Sequence, residues 1–188
     1  MSPEIKKKIV SAENLGIQWI ETRIELEKKI YKDLVSITQN IINEAFSNKV
    51  IKPGVTTTDD VVWWMREKVL ELKLKTWFHP TVDVQRNKKS DLYAFDGKSK
   101  YDIIQPGDLV HCDFGISYLT LNTDCQQIAY VLKPNEKQAP LFLKNALKDA
   151  NKLQNILTGE FRLYKTGNEI LSNSLRIAKE NGLDPQIY

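Results

Sequence analysis

Apolar residues recur along this chain at two spacings, and each spacing names an element. From Ile24 onward, Ile30, Leu34, Ile37, Ile41 and Ala45 fall every three or four residues. That is the period of one helix face, and it predicts an amphipathic helix ending near Asn48. Pro53-Gly54 interrupts the chain. Thr57 followed by Asp60 has the form of a capping box and opens a second helix through Val61, Trp64, Met65 and Leu72. Trp77 to Val84 reads as a strand, which Pro80 marks as an edge or bulged one. The polar stretch from Asn87 to Tyr101 reads as a loop, with a hairpin tip at Asp96-Gly97.

At Leu109 the period drops to two. Leu109, His111 and Asp113 share one face of a strand, and Val110, Cys112 and Phe114 share the other. After Gly115 a second strand sets Asp124, Gln126, Ile128, Tyr130 and Leu132 against Cys125, Gln127, Ala129 and Val131. Pro134-Asn135 ends it. A third helix carries Leu143, Ala146, Leu147, Ala150, Leu153 and Leu157. A fourth starts at Thr166, where Glu169 completes another capping box, and stops at Gly182. The class is α+β, with residues 1–23 as a lead-in and residues 24–188 as the domain. A shift of 109 positions lays the later helix pair on the earlier one: Leu143 on Leu34, Thr166 on Thr57, Glu169 on Asp60 and Leu183 on Leu74. In the first copy the helices lead into the aspartate hairpin. In the second the sequence reaches Tyr188 where the matching strand is expected, so on repeat architecture about sixty residues of partner sheet are expected beyond it.

A hairpin folded at Gly115–Thr123 brings Asp113 and Asp124 onto one face. Two carboxylates that close repel each other unless a cation or a shared proton neutralises them. Carboxylate oxygens suit divalent Mn, Co or Zn in such sites. The plainer alternative is that each aspartate is a turn residue or helix cap.

Composition changes this picture little. The 188 residues carry a formal charge of +3 and 41% hydrophobic residues, ordinary for a globular domain. The lysines are scattered, without a basic stripe interleaved with aromatics, so nucleic acid is not an expected partner. No apolar run spans a membrane and no signal-peptide pattern opens the chain; the compartment stays open, with the cytoplasm as default. Cys112 and Cys125 point away from the aspartate face, as free thiols or as cross-strand neighbours able to form a disulfide, and they fit no zinc or nucleophile motif.

Ile51-Lys52-Pro53-Gly54-Val55-Thr56, Gly107-Asp108-Leu109-Val110, Asp113-Phe114-Gly115 and Asp124 together resemble the pita-bread metallopeptidases. That family comprises methionine aminopeptidase, Xaa-Pro aminopeptidase, prolidase and creatinase. The resemblance runs from about Ile24 to the end and is strongest to the Xaa-Pro branch, including Trp77-Phe78-His79-Pro80. It implies the first half of a pita-bread fold plus the opening helices of the second half. It implies Asp113 and Asp124 as ligands of two divalent metal ions, with a histidine and two glutamates completing the shell from beyond Tyr188. It implies a metal-dependent peptidase acting at the N-terminal residue of peptides, Xaa-Pro type, homodimeric when complete; no residue of this chain is assigned a catalytic role, and the chain alone is expected to be inactive. Two alternatives stand beside it: a non-catalytic peptide-binding module of the same fold, and a creatinase-like hydrolase of a small C–N substrate.

The chain departs from the family at Gln126-Gln127, where Thr-Arg is frequent. It also lacks, between Ser90 and Gln105, the histidine that methionine aminopeptidases carry upstream of the aspartates. His111, on the Asp113 face, and His79 are the candidate substrate-binding residues, His111 preferred; for each, a histidine satisfied within a strand is the alternative. Trp63, Trp64 and Trp77 are expected in core and interface rather than as substrate stackers, and tandem Trp63-Trp64 leaves one ring facing outward, toward a partner surface.

Overall fold

The computed structural model describes residues 2–86 and 102–186; the hairpin tip expected at Asp96-Gly97 lies outside them. The chain forms two compact units, Met1–Val131 and Leu132–Tyr188. The first contains α1 (Pro3–Lys6), α2 (Glu13–Glu21), α3 (Glu25–Ala45), α4 (Thr58–Glu71), β1 (Lys75–Thr76), β2 (Thr81–Gln85), β3 (Leu109–Phe114), β4 (Ile116–Tyr118), β5 (Leu121–Asn122) and β6 (Cys125–Tyr130); the second contains α5 (Leu141–Glu160) and α6 (Gly167–Glu180). No helix among the described residues is long and apolar enough to cross a membrane.

The helix faces follow the apolar spacing. Leu34, Ile41, Ile42 and Ala45 of α3 and Val61, Val62, Met65 and Val69 of α4 are buried with Val82, Val110, Cys112, Phe114, Ile116 and Leu121 of the strands. Each fully buried aliphatic or aromatic side chain contributes about 1.5–3 kcal/mol relative to exposure. One detail differs from expectation: Leu72, just past the end of α4, is exposed, and Val62 and Val69 are buried instead. Trp64 packs against the core while Trp63 is half exposed, as tandem placement requires. Helices α1 and α2 bury no residue.

The hairpin is longer than the sequence suggested. β3 and β6 pair antiparallel from Leu109↔Tyr130 to Phe114↔Cys125, and β4 and β5 continue in the same register through Ser117↔Asn122 and Tyr118↔Leu121. Between them the chain changes sheets: β3 is central in the order β2-β3-β6, and β4 in β1-β4-β5. The expected strand Trp77–Val84 is accordingly split. Thr76 faces Ile116 and Thr81 faces Asp113, so four residues, Trp77–Pro80, stand opposite two, Phe114 and Gly115. This is a bulge at the proline, and Trp77 at its start is half exposed.

Gly115 sits at the crossing. A Cβ there would collide with the Thr123 carbonyl and touch the Phe78 ring. Beside it the Thr123 hydroxyl accepts from Ile116 N at 3.0 Å, and Thr123 N donates to the Ile116 carbonyl at 2.9 Å. The hydroxyls of Thr123 and Thr38, both fully buried, lie 2.8 Å apart, and the Leu34 carbonyl lies 2.9 Å from Thr38 Oγ1 as an acceptor. Ile116 N–H donates to Thr123 Oγ1, either threonine hydroxyl donates to the other, and the Ile116 carbonyl, 3.4 Å from Thr123 Oγ1, is a further acceptor. No donor in it is left unpaired, which is what lets two hydroxyls sit in an apolar core.

A partly buried ion pair closes the other end of the sheet. Asp108, 1% exposed, accepts from Arg86 Nε and Nη2 at 2.7 Å each and from Gln105 N at 2.7 Å, while Arg86 Nη2 also donates to the Ile103 carbonyl at 2.9 Å. The forked guanidinium satisfies both carboxylate oxygens, the geometry that makes a buried charge tolerable.

The repeat is real for one helix pair. Thr57 caps α4 with Asp60, and Thr166 caps α6 with Glu169, in the same reciprocal box. Both helices end alike: Lys73 (φ 57°) and Gly182 (φ 73°) take left-handed backbone, and Leu74 N→Val69 O and Leu183 N→Ala178 O close at 3.0 Å each. All of these correspond at the 109-residue shift. The other pair does not: the shift carries Glu25 and Ala45, the ends of α3, onto Pro134 and Gln154, whereas α5 runs from Leu141 to Glu160. Within the second unit α5 packs on α6, and only Ser174 and Ala178 of α6 are buried.

Gly115→Ala is expected to destabilise the first unit by about 1–3 kcal/mol, near the upper end because backbone, not a flexible side chain, blocks the new methyl. Urea denaturation followed by tryptophan fluorescence measures it.

Candidate metal centre

With Val110, Cys112 and Phe114 committed to the core, the opposite face of the sheet is assembled by register. Thr81, Asp113 and Gln126 form one row across β2, β3 and β6, and Asp83, His111 and Ile128 form the next. Asp124 lies one pleat beyond Gln126, between β5 and β6, immediately after the Thr123 crossing. The structure therefore brings Asp113, Asp124 and His111 together on one face, as the alternation implied.

The electrostatics are those of crowded carboxylates. Burial pushes the Asp113 carboxyl above the ordinary carboxylate range, and the adjacent charge of Asp124 pushes it further; the charge of His111 and a hydrogen bond from Gln126 act the other way. Asp113 Oδ2 accepts from Gln126 Nε2 at 3.2 Å. Asp113 Oδ1 is buried and has no hydrogen-bond partner among the described residues. A buried acceptor without a donor is costly; a proton shared with Asp124, whose hydrogen bond also raises Asp113, or a bound cation relieves it together with the repulsion. The donor chemistry of the pair, two carboxylates with one oxygen unpartnered, fits a hard or borderline divalent ion. Among the described residues no group of three or more His, Cys, Asp or Glu side chains is placed to hold a metal ion.

The remaining candidates fall elsewhere. His79 lies in the bulge between β1 and β2, exposed, where Arg66 of α4 approaches its Nδ1 at 3.3 Å and stacks 4.6 Å from the Trp63 ring. It is engaged with α4 rather than with the aspartates. The cysteines face the helix side, but Cys112 pairs with Gln127 and Cys125 with Phe114, so they are offset by two residues along the ladder instead of standing opposite each other. Both are free thiols, and Cys125 is only half buried. Burial pushes the Cys112 thiol up to about 12 and raises that of Cys125, which leaves both protonated near neutral pH.

Gln126 was legible in the sequence only as a departure. In the structure its side chain reaches both Asp113 and His111, the latter through Oε1 at 3.2 Å from His111 Nε2. Gln127, on the other face, donates to Gln39 of α3 at 3.2 Å.

Metallopeptidase family M24 matches residues 29–187 of this chain. Among solved structures the fold is similar to an X-Pro aminopeptidase from Thermotoga maritima MSB8, with a TM-score of 0.69 and 17% identity over 97% of this chain and 51% of that one. It is similar to the prolidase from Pyrococcus furiosus, with a TM-score of 0.65 and 19% identity over 97% and 53%. The prolidase from Pyrococcus horikoshii OT3 follows at 0.59 and 21% identity, over 85% and 43%. A search of curated proteins finds no match. The chain spans about half the length of the first of these structures. Its α+β fold matches about half of the pita-bread aminopeptidase and prolidase structures, and the chain belongs to metallopeptidase family M24.

Proposed function

We propose that Asp113 and Asp124 are carboxylate ligands of a divalent-metal centre in a peptidase that acts at the N-terminal residue of peptides, with proline preferred in second position. One observation carries the metal assignment: Asp113 Oδ1 is buried and unpartnered beside a second carboxylate that raises its pKa. The Xaa-Pro preference rests on family membership and on the names of the similar structures, an aminopeptidase and prolidases.

When bound, divalent ions of this kind supply a hydroxide near neutral pH and polarise a carbonyl. The part played by this chain is to hold charge in place. The β3–β6 ladder fixes the backbone of Asp113, and the buried Thr123–Thr38 pair fixes the crossing that precedes Asp124. His111, half buried beside Asp113, forms the wall of the site on the side toward Asp83, where it is placed to meet substrate. A substrate-binding role for His79, which is exposed beside Arg66 of α4 and away from the aspartates, rests on the family resemblance alone. Two carboxylates are a partial shell, so the chain by itself holds a cation weakly.

Titration of the purified chain with Mn2+ is expected to show weak binding that Asp113→Asn and Asp124→Asn each abolish. Undiminished binding in either variant removes the assignment. With Mn2+ present, hydrolysis of an Xaa-Pro peptide by the 188-residue chain is expected to be undetectable; turnover that a chelator stops would show that these residues suffice.

The raised pKa of Asp113 sets a pH dependence in chelator. Its folded value lies above the unfolded value of about 3.9, so the fold binds the proton more tightly than the unfolded chain does. Ionisation therefore costs stability, a cost absent below the unfolded value and complete above the raised one. Asp113→Asn is expected to raise the unfolding midpoint at pH 7 in EDTA and to leave it unchanged at pH 3. A lower midpoint in the variant at pH 7 would contradict the sign.

A further inference from the structure

We propose that Gln126 is a positioning residue for the cation site: its carboxamide holds Oδ2 of Asp113, so that Oδ1 is the oxygen presented to the metal, and His111 holds the carboxamide. The inference rests on the reading of Asp113 as a metal ligand.

The geometry assigns each atom one role. Gln126 Nε2 lies 3.2 Å from Asp113 Oδ2, and a carboxylate oxygen only accepts, so this end of the side chain is the NH2 group. The other end is then the carbonyl oxygen, 3.2 Å from His111 Nε2, which must donate to it. The amide orientation is thereby fixed at both ends, and the proton of His111 is placed on Nε2. Of the two Asp113 oxygens, one is tied by Gln126 and the other is the buried atom without a partner. A carboxylate free to rotate offers either oxygen; one tied through Oδ2 offers only Oδ1.

Length explains why the residue is glutamine. Gln126 stands directly opposite Asp113, while His111 faces Ile128 and lies diagonally from Gln126. Opposed Cβ atoms are about 4.5–5.5 Å apart and diagonal neighbours about 7–8 Å. A threonine, the residue frequent at this position in the family, reaches the opposed residue only. A side chain with a donor and an acceptor at the end of two methylenes spans both. Glutamine at this position therefore ties the carboxylate of Asp113 and the ring of His111 together.

Gln126 is exposed on β6, at the end of the order β2-β3-β6, so apolar replacements of similar size do not disturb the core. The test compares wild type, Asp113→Asn, Gln126→Met and Gln126→Leu in the full 188-residue chain, using Mn2+ as probe and water-proton relaxation to read affinity. Imidazole nitrogen shifts of His111 are read alongside, with His79 as the internal control. Mn2+ affinity is expected to fall about 10-fold or more in both Gln126 variants. The unfolding midpoint in EDTA is expected to stay within the error of wild type, and the His111 signals to move while those of His79 do not. If Asp113→Asn abolishes Mn2+ binding and both Gln126 variants keep wild-type affinity, the role of Gln126 is refuted and the metal reading stands. If wild type binds no Mn2+ that Asp113→Asn removes, the metal reading fails and takes this inference with it.

Discussion

Val110, Cys112 and Phe114 are fully buried against α3 and α4, and their burial fixes the register of the hairpin. In a strand the side-chain period is two, so a slip of one residue would drive His111 and Asp113 into the core and expose three apolar side chains. Burying an unpaired carboxylate costs several kcal/mol on its own. Register is therefore set on the apolar side, and the polar side is carried along with it. Asp113 meets Gln126, and Asp124 follows on the same face, because the packing beneath them permits no other alignment.

That arrangement places local repulsion on top of a well-packed support. The aspartates oppose each other, and Asp113 is raised by burial and by Asp124. What holds them is remote from the charges: the apolar core, the hydroxyl chain from Ile116 through Thr123 and Thr38 to Leu34, and the Arg86–Asp108 pair at the far end of the sheet. These are satisfied throughout, and Asp113 Oδ1 is the buried side-chain polar atom left without a partner among the described residues. Local conflict on an otherwise consistent framework is the pattern expected of a functional site.

The second unit shows how far local rules reach. α6 reproduces the cap, the length and the left-handed terminus of α4, since both follow from Thr, an acidic residue three positions on, and a residue able to take positive φ at the end. α5 has no buried residue and does not reproduce the bounds of α3. Caps are set by a few neighbouring residues, whereas the extent of a long amphipathic helix depends on what covers it.

Much of this protein was written in short-range pattern. The helices starting at Thr58 and Gly167, the alternation along Leu109–Phe114 and the common face of Asp113 and Asp124 all follow from periods of 3.6 and 2 and from cap chemistry within four residues. The family was legible for the same reason, because its motif residues cluster in those segments. Tertiary structure alone decided the sheet change at Gly115, the splitting of Trp77–Val84 around Pro80, the exposure of Trp77, the two-residue offset of Cys112 and Cys125, and the grip of Gln126 on Asp113 and His111. Each of these depends on which residue lies across the ladder from which. That pairing is settled by the fit of a whole face against the helices, and no window of sequence shorter than the hairpin contains it.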